Sequence, residues 1–186
     1  MTASQREAAP LLSLVIPAYN EEENIRCGAL QKAADYLADQ NYVCELIVVD
    51  DGSDDATAAL VVEASRSWPF LSLLRSAHGG KARAVTTGVL ASQGKYVIFS
   101  DMDQSTPVRF VKDAVRELED ATEVVIGSRL IKGTKRRDGP LLRNLLGRGF
   151  SLLVRALLLP QIHDSQCGFK GFRREVAHEQ IGRAHV

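Results

Sequence analysis

The stretch CELIVVDDGSDDATAALVVEASRSWPFLSLLR, residues 44–75, contains the pattern that decides the fold of this 186-residue chain. It begins with an apolar, β-branched run at 44–50, passes through a polar turn into a helix-like segment at 55–67, and ends with an apolar run at 71–75. Short apolar runs bounded by turn residues are typical of strands buried on both faces. The stretch therefore predicts a strand, a helix and a second, parallel strand.

The same alternation continues on both sides of this stretch. Further apolar runs lie at 13–17, 95–101 and 123–128. Segments with apolar residues at three- and four-residue spacing separate the runs and predict helices; they lie at 22–40, 55–67, 81–93 and 107–120. Strand and helix alternating four times predict one α/β domain with a mostly parallel sheet sandwiched by helices.

Composition excludes several classes of function. Lys and Arg number 23 and Asp and Glu number 23, so no overall charge attracts the chain to nucleic acid or to an anionic bilayer. Cys27, Cys44 and Cys167 are scattered and odd in number, which predicts reduced, buried thiols in the cytoplasm. No apolar run reaches the roughly 18 residues that a transmembrane helix needs.

Polar or glycine-bearing residues follow every predicted strand. The five strand ends carry PAYNEEE (17–23), DDGSDDAT (50–57), SAHGGKARAV (76–85), DMDQSTP (101–107) and GSRL (127–130). Ligands of parallel α/β sheets bind beyond the carboxyl ends of the strands. The repeated Asp, Lys and Arg residues therefore predict a site for a charged ligand at this edge.

Asp101 and Asp103 allow four explanations when they are considered alone. A calcium loop needs glycine at its sixth position and glutamate at its twelfth, where this chain has Thr106 and Lys112, so calcium is excluded. A phosphatase of the haloacid-dehalogenase type is a weaker possibility, because Ser105 stands where threonine or valine is usual and the strand is the fourth. The two remaining explanations are a divalent cation held against a diphosphate and a solvated strand end.

Six motifs together resemble the inverting nucleotide-sugar glycosyltransferases with a GT-A fold, glycosyltransferase family 2. They are PAYNEEE, VVDDGSDDAT, GGKARAV, SDMDQSTP, GSR and DSQCGFKGF, within residues 13–174. The set is most similar to the dolichyl-phosphate glucosyltransferase and mannosyltransferase group, and DSQCGFK to its glucosyl branch. The resemblance implies transfer of glucose from UDP-glucose to a polyprenyl or dolichyl phosphate. The alternatives are a GDP-mannose donor, or a saccharide or other hydroxyl acceptor.

The resemblance also implies a site for the nucleotide-sugar donor. Its expected members are Pro17, Ala18, Tyr19, Glu21, Asp50, Asp51, Lys81, Asp101, Met102, Asp103 and Arg129. Tyr19 and Glu21 suit a base and ribose hydroxyls, and Asp50 resembles the carboxylate that accepts the ring N–H of the base, whereas Asp51 is expected mainly to shape the turn. Lys81 follows two glycines at a predicted helix start, where backbone N–H groups are expected to meet phosphate. The family usually has asparagine where this chain has His78.

Metal and catalytic roles follow from the same resemblance. Asp101 and Asp103 are expected to share Mg²⁺ or Mn²⁺. The expected catalytic residues are Asp103, Arg129, which clamps the diphosphate, and Asp164, which lies towards the acceptor. Lys170 is expected to meet the acceptor phosphate.

After residue 130 the sequence no longer alternates between predicted strands and helices. A basic, turn-rich stretch at 131–140 leads into a leucine-rich segment at 141–160 that contains arginines, among them Arg143. This segment is either a packing helix with snorkelling arginines or an interfacial helix that contacts a lipid-linked acceptor. On the second hypothesis Arg143 binds the acceptor, and the protein lies peripherally on the cytoplasmic face of a membrane.

Three regions are expected along the chain. Residues 1–10 form a polar tail, and residues 11–180 form one GT-A catalytic domain that continues in the natural protein beyond this chain. Residues 181–186 match translated adapter DNA and are expected to be a non-native tail.

Overall fold

The computed structural model describes residues 9–127 and 167–184. The predictions on Arg129, Arg143, Asp164 and the leucine-rich segment at 141–160 lie outside the described residues. The described elements are β1 (Leu12–Ala18), α1 (Glu22–Arg26), α2 (Ala29–Ala38), β2 (Cys44–Asp50), α3 (Thr57–Ser65), β3 (Leu71–Arg75), α4 (Lys81–Ala91), β4 (Tyr96–Ser100), α5 (Val111–Glu119), β5 (Val124–Ile126), β6 (Phe169–Arg173) and α6 (Arg174–Ala184). A short 3₁₀ turn, Val108–Phe110, precedes α5.

The strands of the described ranges form one six-stranded sheet in the order β3-β2-β1-β4-β6-β5. β1 pairs in parallel with β2 and β4, and β3 pairs in parallel with β2. β6 is antiparallel to both of its neighbours, β4 and β5. The predicted mostly parallel sheet is therefore confirmed, together with all five predicted strands, while β6 is a strand that the sequence pattern did not indicate.

Apolar side chains pack on both faces of the sheet, because successive residues of a strand point to opposite sides. Leu14 and Ile16 of β1 join a core with residues of α2, α3 and α5, whereas Val15, between them, packs with residues of α4 and α6. The polar residues that end β1, β2 and β4 thus lie at the edge of a sheet that is covered on both faces.

Helix α4 lies unusually close to the sheet at Gly88, and we expect Gly88→Ala to lower the free energy of unfolding by about 2 kcal/mol. An added Cβ would lie 2.3 Å from Cγ1 of Val15 and 2.9 Å from Cγ2 of Val49. This overpacking outweighs the helix propensity of alanine, which favours the variant by up to about 1 kcal/mol. Urea denaturation measures the difference, with Leu90→Ala on the exposed face of the same helix as control. A variant as stable as wild type contradicts the predicted close packing.

Two expectations about the first half of the chain were wrong. The helix predicted over 22–40 is two helices, because Gly28 has a φ of 83°, in the left-handed region that side chains other than glycine rarely adopt. All three cysteines are free, and Cys44 and Cys167 are buried as predicted, but Cys27 is exposed where α1 ends.

The backbone of α6 is helical as far as Ala184, so four residues of the segment expected to be a non-native tail continue this helix. That expectation and the other predicted boundaries stay predictions. Over 9–127 and 167–184, no helix has both the length and the hydropathy to cross a membrane.

Candidate functional site

A cavity of about 340 Å³ opens at the carboxyl ends of β1, β2 and β4, beside the start of α4. Its lining consists of Pro17, Ala18, Tyr19, Glu21, Asn24, Asp51, His78, Gly80, Lys81, Ala84, Asp101, Met102 and Asp103. The parallel topology thus brings together strand ends that are far apart in the sequence, as the positions of the polar residues predict. Nine of the predicted donor-site residues within the described ranges line one cavity; Asp50 does not.

The segment from Asp101 to Ser105 forms a tight loop after β4. The amide of Asp101 donates to the carbonyl of Gly168 at 3.1 Å, and the Oδ1 atom of Asp101 forms an ion pair with Nζ of Lys81. The carboxylate of Asp103 accepts the amide of Ser105 at 2.9 Å and its hydroxyl at 2.6 Å. Both aspartates are therefore fixed at the cavity, and Ser105 orients Asp103.

The two aspartates fit a divalent cation that a bound diphosphate completes. In the part of the chain that the structure describes, no group of three or more His, Cys, Asp or Glu residues is arranged to hold a metal. Mg²⁺ is commonly held by one or two carboxylates, with substrate phosphates and water supplying the other oxygens. Asp101 and Asp103, beside a lysine in an open cavity, match this chemistry.

Helix α4 begins at Lys81, as predicted, but the backbone amides before it already have a partner. The amides of Gly79 and Gly80 donate to the two carboxylate oxygens of Asp51, at 2.9 and 2.8 Å. A buried carboxylate thus occupies these two amides, and the expectation that backbone N–H groups at this helix start meet phosphate stays a prediction. Burial acts to raise the pKa of Asp51, but these two amides and His78 outweigh it and hold the pKa below its usual value.

Asp50 and Asp51 are placed differently from the expectation. The carboxylate of Asp50 is fully buried, accepts the amide of Ser53 at 3.0 Å, and lies 3.3 Å from Nε of Arg75, its register partner on β3. Asp50 therefore shapes the turn, the task that we expected of Asp51. Asp51 lines the cavity instead.

Tyr19 and His78 form an aromatic pair on the cavity wall, with ring centroids 4.4 Å apart and ring planes inclined by 34°. Nδ1 of His78 lies 2.9 Å from Oδ2 of Asp51 and 3.1 Å from its carbonyl oxygen. Sequence reasoning did not include His78 among the site residues. The available signal was that histidine stands where the family usually has asparagine.

Glu21 completes the acidic side of the cavity. Its Oε2 atom accepts Nδ2 of Asn24 at 2.5 Å, and its amide donates to the hydroxyl of Thr57 at 2.8 Å. Burial raises the pKa of Glu21, and the nearby carboxylates of Asp103 and Asp101 raise it further, whereas Asn24 and Lys81 act in the opposite direction. The net shift is upward, so the cavity disfavours the charged form of this residue.

We expect the stability of the protein to reveal this shift. Because the pKa of Glu21 is raised in the folded state, the folded protein binds more protons than the unfolded chain at pH values above the ordinary 4.5. The contribution of Glu21 to the free energy of unfolding therefore falls as the pH rises above this value. Glu21→Gln cannot ionise, so its stability relative to wild type should increase between about pH 4 and about pH 7. Denaturant unfolding at several pH values tests this, with the exposed Glu63→Gln as control. A difference that stays constant with pH contradicts the prediction.

Lys170 lies on β6, outside the cavity lining. Its Nζ atom donates to the carbonyl of Cys167 at 3.0 Å and lies 5.2 Å from the ring centroid of Phe99. The predicted role of Lys170 at the acceptor stays a prediction.

Comparison with known proteins agrees with this architecture. The model of the family described as Glycosyl transferase family 2 matches residues 13–180. A dolichyl-phosphate beta-glucosyltransferase of Dictyostelium discoideum is 35% identical, covering 94% of this chain and 58% of the relative. A dolichol-phosphate mannosyltransferase of Pyrococcus furiosus is 31% identical, covering 89% of this chain and 47% of the relative. The chain thus spans about half the length of these curated relatives.

Solved structures show the same fold. A mannosyltransferase of Pyrobaculum calidifontis, solved in complex with GDP-Man and Mn²⁺, has a TM-score of 0.61 at 24% identity and covers 95% of this chain and 48% of its own. Glucosyl-3-phosphoglycerate synthase of Mycobacterium tuberculosis has a TM-score of 0.65 at 24% identity, covering 90% of this chain and 58% of its own. These neighbours support the GT-A fold, and the family model extends over almost the whole sheet and cavity. The chain therefore belongs to glycosyl transferase family 2.

Proposed function

We propose that this chain is the catalytic part of an inverting hexosyltransferase that moves glucose from UDP-glucose to a polyprenyl or dolichyl phosphate. The observation that carries the proposal is a single cavity that combines aromatic rings with Lys81, Asp101 and Asp103. Such a cavity suits the two chemically different parts of a nucleotide-diphosphate sugar. The glucosyltransferase and mannosyltransferase relatives support a lipid phosphate as acceptor.

The charged residues of the cavity would stabilise the nucleoside diphosphate as it leaves. Asp101 and Asp103 would hold Mg²⁺ or Mn²⁺, which supplies positive charge against the negative charge that develops on the leaving group. Lys81 pairs with Asp101, so its ammonium is held beside this position. Preorganised charges of this kind contribute much of the rate enhancement of many enzymes. Arg129 belongs to the same proposal as a clamp on the diphosphate.

The acceptor side needs positioning more than proton abstraction. A phosphate monoester has a second pKa of about 6, so at neutral pH it is largely a dianion and already a nucleophile. Asp164, Arg143 and Lys170 are proposed to orient this phosphate behind the anomeric carbon. A lipid-linked acceptor implies that the protein works peripherally at the cytoplasmic face of a membrane.

Transfer of labelled sugar tests the proposal. The full chain is incubated with radiolabelled UDP-glucose or GDP-mannose, a short polyprenyl phosphate, and Mg²⁺ or Mn²⁺. Label from UDP-glucose in the organic phase supports the proposal. Label that reaches the organic phase only from GDP-mannose would mean that the donor is GDP-mannose. Label that reaches only an added saccharide, or metal-dependent release of phosphate from a monoester without transfer, overturns it.

A further inference from the structure

We infer that His78 and Tyr19 together form the wall of the cavity that receives the nucleobase of the donor, with Asp51 holding His78 in place. The inference rests on the proposed function and adds to it a base-binding residue that the sequence motifs do not indicate. The ligand class is an aromatic heterocycle bonded to a ribose.

The imidazole of His78 has a fixed orientation. Its Nδ1 atom lies within hydrogen-bond distance of two atoms of Asp51, a carboxylate oxygen at 2.9 Å and the carbonyl oxygen at 3.1 Å. Both atoms only accept hydrogen bonds, so Nδ1 carries the proton. The Nε2 atom is therefore the ring nitrogen left to meet a hydroxyl or a base edge in the cavity.

The residue that holds this ring is itself firmly anchored. The side chain of Asp51 is 3% exposed, and its two oxygens also accept the amides of Gly79 and Gly80. Burying a carboxylate is costly unless it is fully hydrogen-bonded. The imidazole of His78 is the third partner of this carboxylate, so the anchored carboxylate in turn fixes the ring at the cavity wall.

The exposure of the two rings points to a planar ligand. Tyr19 is 44% exposed and the side chain of His78 is 58% exposed, although the two rings lie against each other. Aromatic side chains with accessible faces on a cavity wall suit stacking of a base, and one such ring is worth roughly tenfold or more in affinity. A phosphate alone gains nothing from an aromatic face.

Binding measurements with UDP and with pyrophosphate separate base recognition from phosphate recognition. His78→Asn removes the ring but keeps a donor for Asp51, so the fold and thermal midpoint should match those of wild type. We expect its affinity for UDP in the presence of Mg²⁺ to fall about tenfold, whereas its affinity for pyrophosphate changes less than about twofold. His178→Asn is the matched control, since the ring of His178 contacts the carbonyl of Val89 on α4, outside the cavity lining.

Two outcomes overturn the inference while the proposed function stands. One is unchanged UDP affinity in His78→Asn, and the other is an equal loss for UDP and pyrophosphate, which assigns His78 to the phosphates. Wild-type protein that binds neither UDP nor GDP overturns both. A double-mutant cycle with Tyr19→Ala adds a second criterion, because rings that contact the same base should give losses that are not additive.

Discussion

Asp103→Asn is expected to reduce hexosyl transfer by at least about 100-fold at a fixed metal concentration. Asparagine has nearly the same shape as aspartate but lacks the negative charge that a hard cation prefers in its ligands. Four carboxylates line the described cavity. That of Asp51 accepts two backbone amides and that of Glu21 accepts a hydrogen bond from Asn24, whereas Asp103 and Asp101 are the pair proposed to hold the metal. The loss should be partly recovered at higher Mn²⁺ concentration, because the remaining carboxylate, Asp101, still offers its oxygen.

The fold should survive this substitution. The amide of Ser105 donates to Oδ1 of Asp103, which asparagine retains, and the hydroxyl of Ser105 can accept a hydrogen bond from the new amide group. Asp113→Asn, on the first turn of α5, removes the same charge away from the cavity and serves as control. Transfer of label from UDP-glucose measures the effect. Undiminished transfer by Asp103→Asn would mean that Asp103 is not a metal ligand.

The alternation of strands and helices could be predicted from the sequence because it depends on local patterns. Buried strands such as β1 and β2 are short apolar runs, and helices such as α5 carry apolar residues at helical spacing. The polar residues after each strand then indicate the edge where ligands bind.

The antiparallel strand β6 could not be predicted in this way. Its sequence, FKGFR, contains a glycine and two basic residues, and it becomes a strand only by pairing with β4 and β5, which precede it in the chain. Such pairing is a tertiary effect that no local pattern records. For the same reason, the sequence indicates neither the order of the strands nor the position of β6 between β4 and β5.

The assignment of Asp50 and Asp51 shows a similar limit within the site. Two adjacent aspartates after a strand are equivalent in a motif, and the turn decides which of them reaches the cavity. Gly52 has a φ of 75°, and a Cβ on it would lie 2.9 Å from the amide nitrogen of His78. This close approach brings the loop after β3 over Asp51, which explains why His78 and Asp51 meet while Asp50 stays inside the turn.

Gly168→Ala is expected to reduce transfer by about 100-fold while leaving a folded protein, because Gly168 determines where the Asp101 carboxylate lies. An added Cβ would lie 1.9 Å from Oδ2 and 2.4 Å from Cγ of Asp101. The two backbones cannot readily separate, since the amide of Asp101 donates to the carbonyl of Gly168 at 3.1 Å. The carboxylate must therefore rotate away, which breaks its ion pair with Lys81 and removes one of the two proposed metal ligands.

Gly171→Ala on β6 separates this effect from general overpacking. Its added Cβ would meet Ile98 and Leu118 at 3.2 and 3.3 Å, within the apolar core and away from Asp101. We expect Gly171→Ala to lower the thermal midpoint but to keep the turnover number of the folded fraction. Gly168→Ala should instead keep the thermal midpoint and lower the turnover number. The side chain of Asp101 is 30% exposed and can turn towards solvent at little cost in stability. A turnover number in Gly168→Ala equal to that of wild type would show that the position of Asp101 does not limit catalysis, and the pairing of Gly168 with Asp101 would then be structural alone.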